Sequence, residues 1–167
     1  VLNYALTLEH LEATFYEQSL QRFSADDFQK AGFQPGVRKQ LETVVKVHEE
    51  THVTALQSTI KSLFGDGKAV PPCQYNFDTT VKDVKGFVDI AAALEKTGVS
   101  AYDGALQFVM ANAVKTAAGA IATVEGRHSA VLNVIQQGMA NGAPGPFDTP
   151  LGFRPVITIA SQFIKSC

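Results

Sequence analysis

Two short stretches of the chain carry the same polar pair at the same spacing. Glu49 is followed three residues later by His52 in "EETH", and Glu125 by His128 in "VEGRH". On an α-helix such a pair shares one face, about one turn apart. Each pair interrupts an apolar seam. One seam reads Leu41, Val45, Glu49, His52, Leu56, Ile60, Leu63; the other reads Val114, Ala118, Ile121, Glu125, His128, Leu132, Ile135. Two more seams carry a single glutamate each. They are Leu2, Ala5, Glu9, Ala13, Tyr16, Leu20 and Val88, Ala91, Glu95, Gly98, Tyr102, Leu106, Val109, both with a tyrosine two turns beyond the glutamate. Four helices so patterned must turn their seams toward a core and satisfy the polar groups there.

The periodicity predicts helices over about 2–22, 36–64, 81–110 and 113–139, separated by Gly, Pro and Asp clusters such as "AGFQPG". Little alternates with period two, so the expected class is all-α. Short links favour antiparallel neighbours, whereas "GDGKAVPPCQYNFDTT" between the second and third helices is long enough to cross a bundle. A length of 167 residues suits one domain. The expected layout is a four-helix bundle over 1–141, with one long crossover between helices 2 and 3. A Pro/Gly-rich loop and tail follow over 142–167, where "VITIASQFIKSC" is short enough to be a capping helix or a strand.

In chain order the seams supply Glu9, Glu49 with His52, Glu95, and Glu125 with His128. That set is what a two-metal site in a bundle core requires. Four carboxylates at one level would repel and be poorly solvated, and so need protons or cations. Two divalent ions balance the four negative charges, with two neutral imidazoles completing the set. Oxygen-rich ligation with one nitrogen per ion suits iron, or else manganese, better than structural zinc.

A competing motif overlaps the first pair. His48 to His52 spells H-E-x-x-H, the signature of a zinc peptidase helix. That reading leaves Glu9, Glu95 and Glu125 unexplained, so His48 is expected instead to flank the metal set and donate a hydrogen bond near it. Glu12, Glu17, Glu42 and Glu50 are expected to be ordinary solvated glutamates. Glu12 is the nearest competitor of Glu9, because a modest rotation of the first helix exchanges the two. Tyr16 and Tyr102 either orient a ligand and donate an electron, or are core aromatics with satisfied hydroxyls.

A formal net charge of −2 with interspersed signs gives no footprint for nucleic acid or an anionic membrane. No apolar run approaches the roughly 18–20 residues that span a bilayer. Neither kind of partner is expected, and any targeting peptide is expected to have been removed or never present. The two cysteines, Cys73 and Cys167, lie outside the predicted helices. They are either two free thiols or a disulfide pinning the tail to the crossover in a secreted protein.

The stretches "LNYALTLEHLEATFYEQSL", "FSADDFQKAGF", "VHEETHVTAL", "EKTGVSAYDGAL", "VEGRHSAVLN" and "PFDTPLGFRPVITIASQFIKSC" resemble the ferritin-like domain of fungal secreted and stress-response proteins. They are similar also to plant desiccation-related proteins. The resemblance implies a ferritin-like four-helix bundle with a di-iron-type centre, and it carries the ligand roles onto Glu9, Glu49, His52, Glu95, Glu125 and His128. It does not imply one reaction, because such folds host storage, redox and structural roles. Small subunits of some fungal heterodimeric laccases also look like this family, which implies a non-catalytic alternative: binding and stabilising a larger partner oxidase. Iron storage in a multi-subunit cage is a third reading, one that a monomer in light scattering would remove.

Overall fold

The computed structural model describes residues 1–167. The chain is helical apart from one two-stranded ladder. No helix is long and apolar enough to cross a membrane. The chain divides into two compact units, one of residues 2–87 with 162–167, the other of 88–161 with Val1.

The first unit is built on α1 (Leu2–Arg22) and α4 (Lys46–Phe64). These helices run antiparallel: His52 faces Glu9, while Arg38, well before α4, reaches the far end of α1. Arg38 donates from Nε to the Phe23 carbonyl at 2.8 Å and from Nη2 to the Leu20 carbonyl at 2.9 Å. Orphan carbonyls at a helix C-terminus are thereby satisfied by a cation, which also opposes the negative end of the helix dipole. Between the two helices lies α2 (Ala25–Lys30), which the apolar periodicity did not predict. Its local chemistry specifies it: the Ser24 hydroxyl accepts from the Asp27 N–H while the Asp27 carboxylate accepts from the Ser24 N–H, a reciprocal cap.

The predicted helix over 36–64 is one run with a widened turn in it. The short α3 (Val37–Gln40) passes into a π turn at Leu41–Val45, where the Lys46 N–H reaches the Leu41 carbonyl five residues back, and then into α4. Most of the seam is buried as expected, from Leu41 through Glu49, His52 and Leu56 to Ile60. Leu63 is the correction: it is 51% exposed, because the helix runs past its packing partners before Gly65, at φ +88°, ends it.

Phe15, Tyr16, Phe28, Phe77 and Phe87 pack into an aromatic cluster in this unit, with Phe15 and Phe87 centroids 5.3 Å apart. The crossover lies against α1. The Asn3 amide donates to the Lys68 carbonyl at 2.9 Å and accepts from the Val70 N–H at 3.1 Å, so one side chain holds two backbone groups. Further along, β1 (Gln74–Tyr75) pairs antiparallel with the C-terminal β2 (Ile164–Ser166), and the Cys73–Cys167 disulfide closes the pair.

The second unit carries most of α5 (Val84–Leu106), together with α6 (Asn112–Gln137) and α7 (Phe153–Ser161). Gln136 bonds Asp89 and His128 faces Glu95, which makes α5 and α6 antiparallel. The predicted third helix was too long at both ends. It starts at Val84 because the Asp83 carboxylate accepts from the Gly86 N–H at 2.8 Å, a capping contact. It ends at Leu106 because the next N–H groups fold back in tight turns, Phe108 to Ala105 and Val109 to Leu106. α6 stops at Gly138, φ +88°, close to its expected end.

The Pro/Gly-rich loop is seated by backbone. The Leu151 N–H donates to the Ser100 carbonyl at 2.9 Å, and a Cβ on Gly104 would stand 1.9 Å from the Leu151 oxygen. Only glycine lets the loop lie this close to α5. α7 then buries Val156 and Ala160, so the tail contains both a helix and a strand.

Candidate metal centre

In the first unit, α1 supplies Glu9, and α4 supplies Glu49 and His52. Both carboxylates are fully buried, and His52 is nearly so. The His52 Nδ1 lies 3.1 Å from the Glu9 Oε2 and 3.2 Å from the Glu49 Oε2. One ligand atom from each of the three falls within 4.8 Å of the others. The spacing predicted this placement, since three residues of helix bring Glu49 and His52 onto the same inward face.

The second unit repeats the arrangement with Glu95 from α5 and Glu125 and His128 from α6. Glu95 and Glu125 are fully buried and His128 nearly so. The His128 Nδ1 lies 3.1 Å from the Glu95 Oε2, and ligand atoms of these three also fall within 4.8 Å of one another. Each unit thus gathers two carboxylates and one imidazole. A carboxylate removed from water is tolerated only with protons, donors or a cation against it. The donor set is chemically suited to a divalent ion with a preference for oxygen and nitrogen.

The other predicted residues are placed as follows. Tyr16 is fully buried against Phe15 and Phe87, with centroid separations of 5.5 and 6.0 Å. Tyr102 is buried on α5. His48 is half-buried and belongs to neither convergent group of ligand atoms, which removes the peptidase geometry. Glu17 and Glu50 are exposed, and Glu42 takes an ion pair from Arg38 at 2.7 Å. Glu12 is the correction: it is 3% exposed rather than solvated. The reason is that α1 is covered nearly all round at this level, from Leu8 to Glu12 without a break.

His10 was not singled out by its sequence position. It is buried beside Glu9, and its Nε2 donates to the crossover carbonyl of Val70 at 3.3 Å. Burial pushes its imidazole below the usual range, opposed by the Val70 bond and the charge of Glu9. Burial also drives the Tyr4 phenol up to about 12. Beside the loop, burial and then the charge of Asp148 raise the Asp103 carboxyl.

The family model of the ferritin-like domain matches residues 1–138, which takes in both Glu/Glu/His sets. The chain belongs to the ferritin-like family. A comparison with curated proteins finds no match. Membership fits the all-α architecture and the pairing of long helices in each unit. Buried Glu and His groups able to hold metal are what the two sets supply.

Proposed function

We propose that this ferritin-like protein is a di-metal carboxylate protein that takes one divalent ion in each Glu/Glu/His set, iron in preference to manganese, and uses them in oxygen- or peroxide-dependent redox chemistry. The observation that carries the reading is the burial of Glu9, Glu49, Glu95 and Glu125, each at 0% exposure, with a histidine Nδ1 at 3.1 Å from a carboxylate in each set. Two carboxylates offset the charge of one divalent ion, and the imidazole completes a mixed oxygen and nitrogen set. Bound iron or manganese would supply the exchange of electrons with the oxidant. The chain's own part is to hold the carboxylates in place and keep bulk water from them. Tyr16 and Tyr102, two turns along the seams from Glu9 and Glu95, are assigned to orient ligands or pass an electron. The Cys73–Cys167 disulfide suits an oxidising compartment and supports secretion.

Metal measured by mass spectrometry, on protein purified without chelators and after anaerobic Fe(II) loading, tests this. About two ions per chain are expected, lost in Glu49→Ala/Glu125→Ala, with oxygen consumed when the loaded protein meets air. No metal after loading would mean that protons and hydrogen bonds hold the carboxylates.

A second reading is favoured by the Gly/Pro-rich loop, where Phe147 is 90% exposed. Under it the protein binds and stabilises a larger secreted oxidase through this apolar tip. Co-purification of such an oxidase, lost on Phe147→Ser, is its expected outcome; a chain that neither associates with one nor protects it from heat would rule it out.

A further inference from the structure

The geometry points to the outward face of α4 as a self-association surface, on which the α4 of a second copy of this chain packs antiparallel. Such a contact needs no metal in either Glu/Glu/His set.

The long helices do not treat solvent alike. α5 exposes Lys85, Asp89 and Lys96, the charges of an ordinary solvated face. α4 and the π turn before it instead expose Val44, Val47, Thr51, Thr54, Ala55 and Ser58, recurring at three- and four-residue steps and so on one side of the run. None of the six is charged. Val44 and Val47 are 40% and 44% exposed. The threonines present less polarity than their type suggests. The Thr51 hydroxyl donates to the Val47 carbonyl at 2.7 Å, and the Thr54 hydroxyl to the Glu50 carbonyl at 3.0 Å. With each hydroxyl turned to its own helix, the methyl group is what faces outward. A shallow groove of about 400 Å³ follows this face from Val47 to Ser58. Its side chains are short, so a second helix backbone can approach closely and interdigitate.

The rim of the face selects the occupant. Glu50 and Lys61 are eleven residues apart, about three turns, which puts them on the same flank of α4 with opposite signs. When two identical helices pack antiparallel about a two-fold axis, each flank lies beside the same flank of its mate in reversed order. With the axis beside Ala55, midway between the two residues, each Glu50 stands against the partner's Lys61, and the contact is made twice. Within one chain Glu50 already pairs with Lys46, and Lys61 with Asp66 at 2.9 Å. Those exposed pairs are weak alone. Across the two-fold they join into two rows of alternating sign. A parallel copy would set Glu50 against Glu50 and Lys61 against Lys61.

Sedimentation of the full chain over a concentration series is the test. The parent is expected to pass from monomer to dimer, and Thr51→Arg, in the middle of the face, to stay monomeric. Glu50→Lys and Lys61→Glu each oppose like charges at both contacts, and each should raise the dimer dissociation constant on the order of tenfold. Mixing these two variants should recover a dimer, because one chain then supplies both cations and the other both anions. The double variant Glu50→Lys/Lys61→Glu should dimerise like the parent, as an antiparallel register requires. All three positions are exposed, so thermal midpoints of the dilute variants should match the parent's and exclude misfolding as the cause. A parent that is monomeric at every concentration overturns the inference, as does a dimer that Thr51→Arg leaves intact. If the parent is monomeric and Thr51→Arg instead abolishes its association with a larger oxidase or with anionic vesicles, the face belongs to that partner and self-association is overturned.

Discussion

The two Glu/Glu/His sets are alike in chemistry and unlike in support. Glu49 with His52 and Glu125 with His128 follow one pattern, and both histidines stand 3.1 Å from a glutamate of the paired helix. Around the first set lie a π turn, an aromatic cluster, a side-chain clamp and a disulfide. Around the second are two uninterrupted helices and a loop seated by main chain on a glycine. The contrast teaches that ligand identity and ligand rigidity are set by different residues. The first needs a few positions at fixed spacing; the second is distributed over segments far apart in sequence.

Removing support from each region should sharpen that contrast. The largest effect is expected for Phe87→Ala, in the aromatic cluster of the first unit, at about 3–5 kcal/mol in a urea melt. A loss under about 1 kcal/mol would mean that the cluster repacks. Next comes Cys73→Ser/Cys167→Ser, expected to lower stability by about 2–4 kcal/mol, since a cross-link over a long loop restricts the unfolded chain. Scanning calorimetry checks it, and an unchanged midpoint would show that the β ladder and the Asn3 clamp suffice. In the second unit, Gly104→Ala is expected to cost about 1–3 kcal/mol as the new Cβ pushes on the Leu151 backbone. Amide exchange should quicken at Leu151, whose N–H bonds Ser100, and not in α1. A uniform change across both units would break the comparison.

The smallest effect concerns pH. Asp103 has its carboxyl raised by burial and by Asp148, so the folded chain holds a proton that the unfolded chain releases first. Its contribution to stability is therefore best at low pH and declines as pH rises from the ordinary carboxylate value of 3.8 through the raised one. Asp103→Asn should remove that decline and gain less than about 1 kcal/mol at neutral pH. Melts at pH 4 and 7 that move in parallel with the parent, using about the same buffer strength, would count against the assignment.

Much of the fold was legible because the long helices bury one seam each, and Leu41 to Ile60 or Ile121 to Leu132 keep step with the helix period. The Glu/His pairs were legible for the same reason: they are polar residues where the period demands apolar ones. What the sequence hid has identifiable causes. The helix at Ala25–Lys30 is too short to show periodicity and is specified by a Ser/Asp cap. The π turn leaves the four-residue steps Leu41, Val45, Glu49 looking like ordinary helix, although they match its wider turn. Leu63 continues its seam beyond the end of its packing partners, which spacing cannot reveal. Glu12 looked solvated because one stripe was assumed to be buried, whereas α1 is buried without a break from Leu8 to Glu12. The roles of Asn3 and His10 depend on contacts with residues 65 and 60 positions away, and no local pattern announces such pairs.

The disulfide also has a topological consequence. Its cysteines are separated by 94 residues, and the whole of the second unit except Val1 lies between them. That part of the molecule is a closed covalent ring, entered after Cys73 and left before Cys167. Exposed loop tips rich in small residues are where proteases cut first, and the stretch around Phe147 is such a tip. A single nick there would open the ring without detaching anything. Both fragments would migrate as one chain until the sulfur bridge was reduced, so the molecule can lose an intact backbone and still remain in one piece.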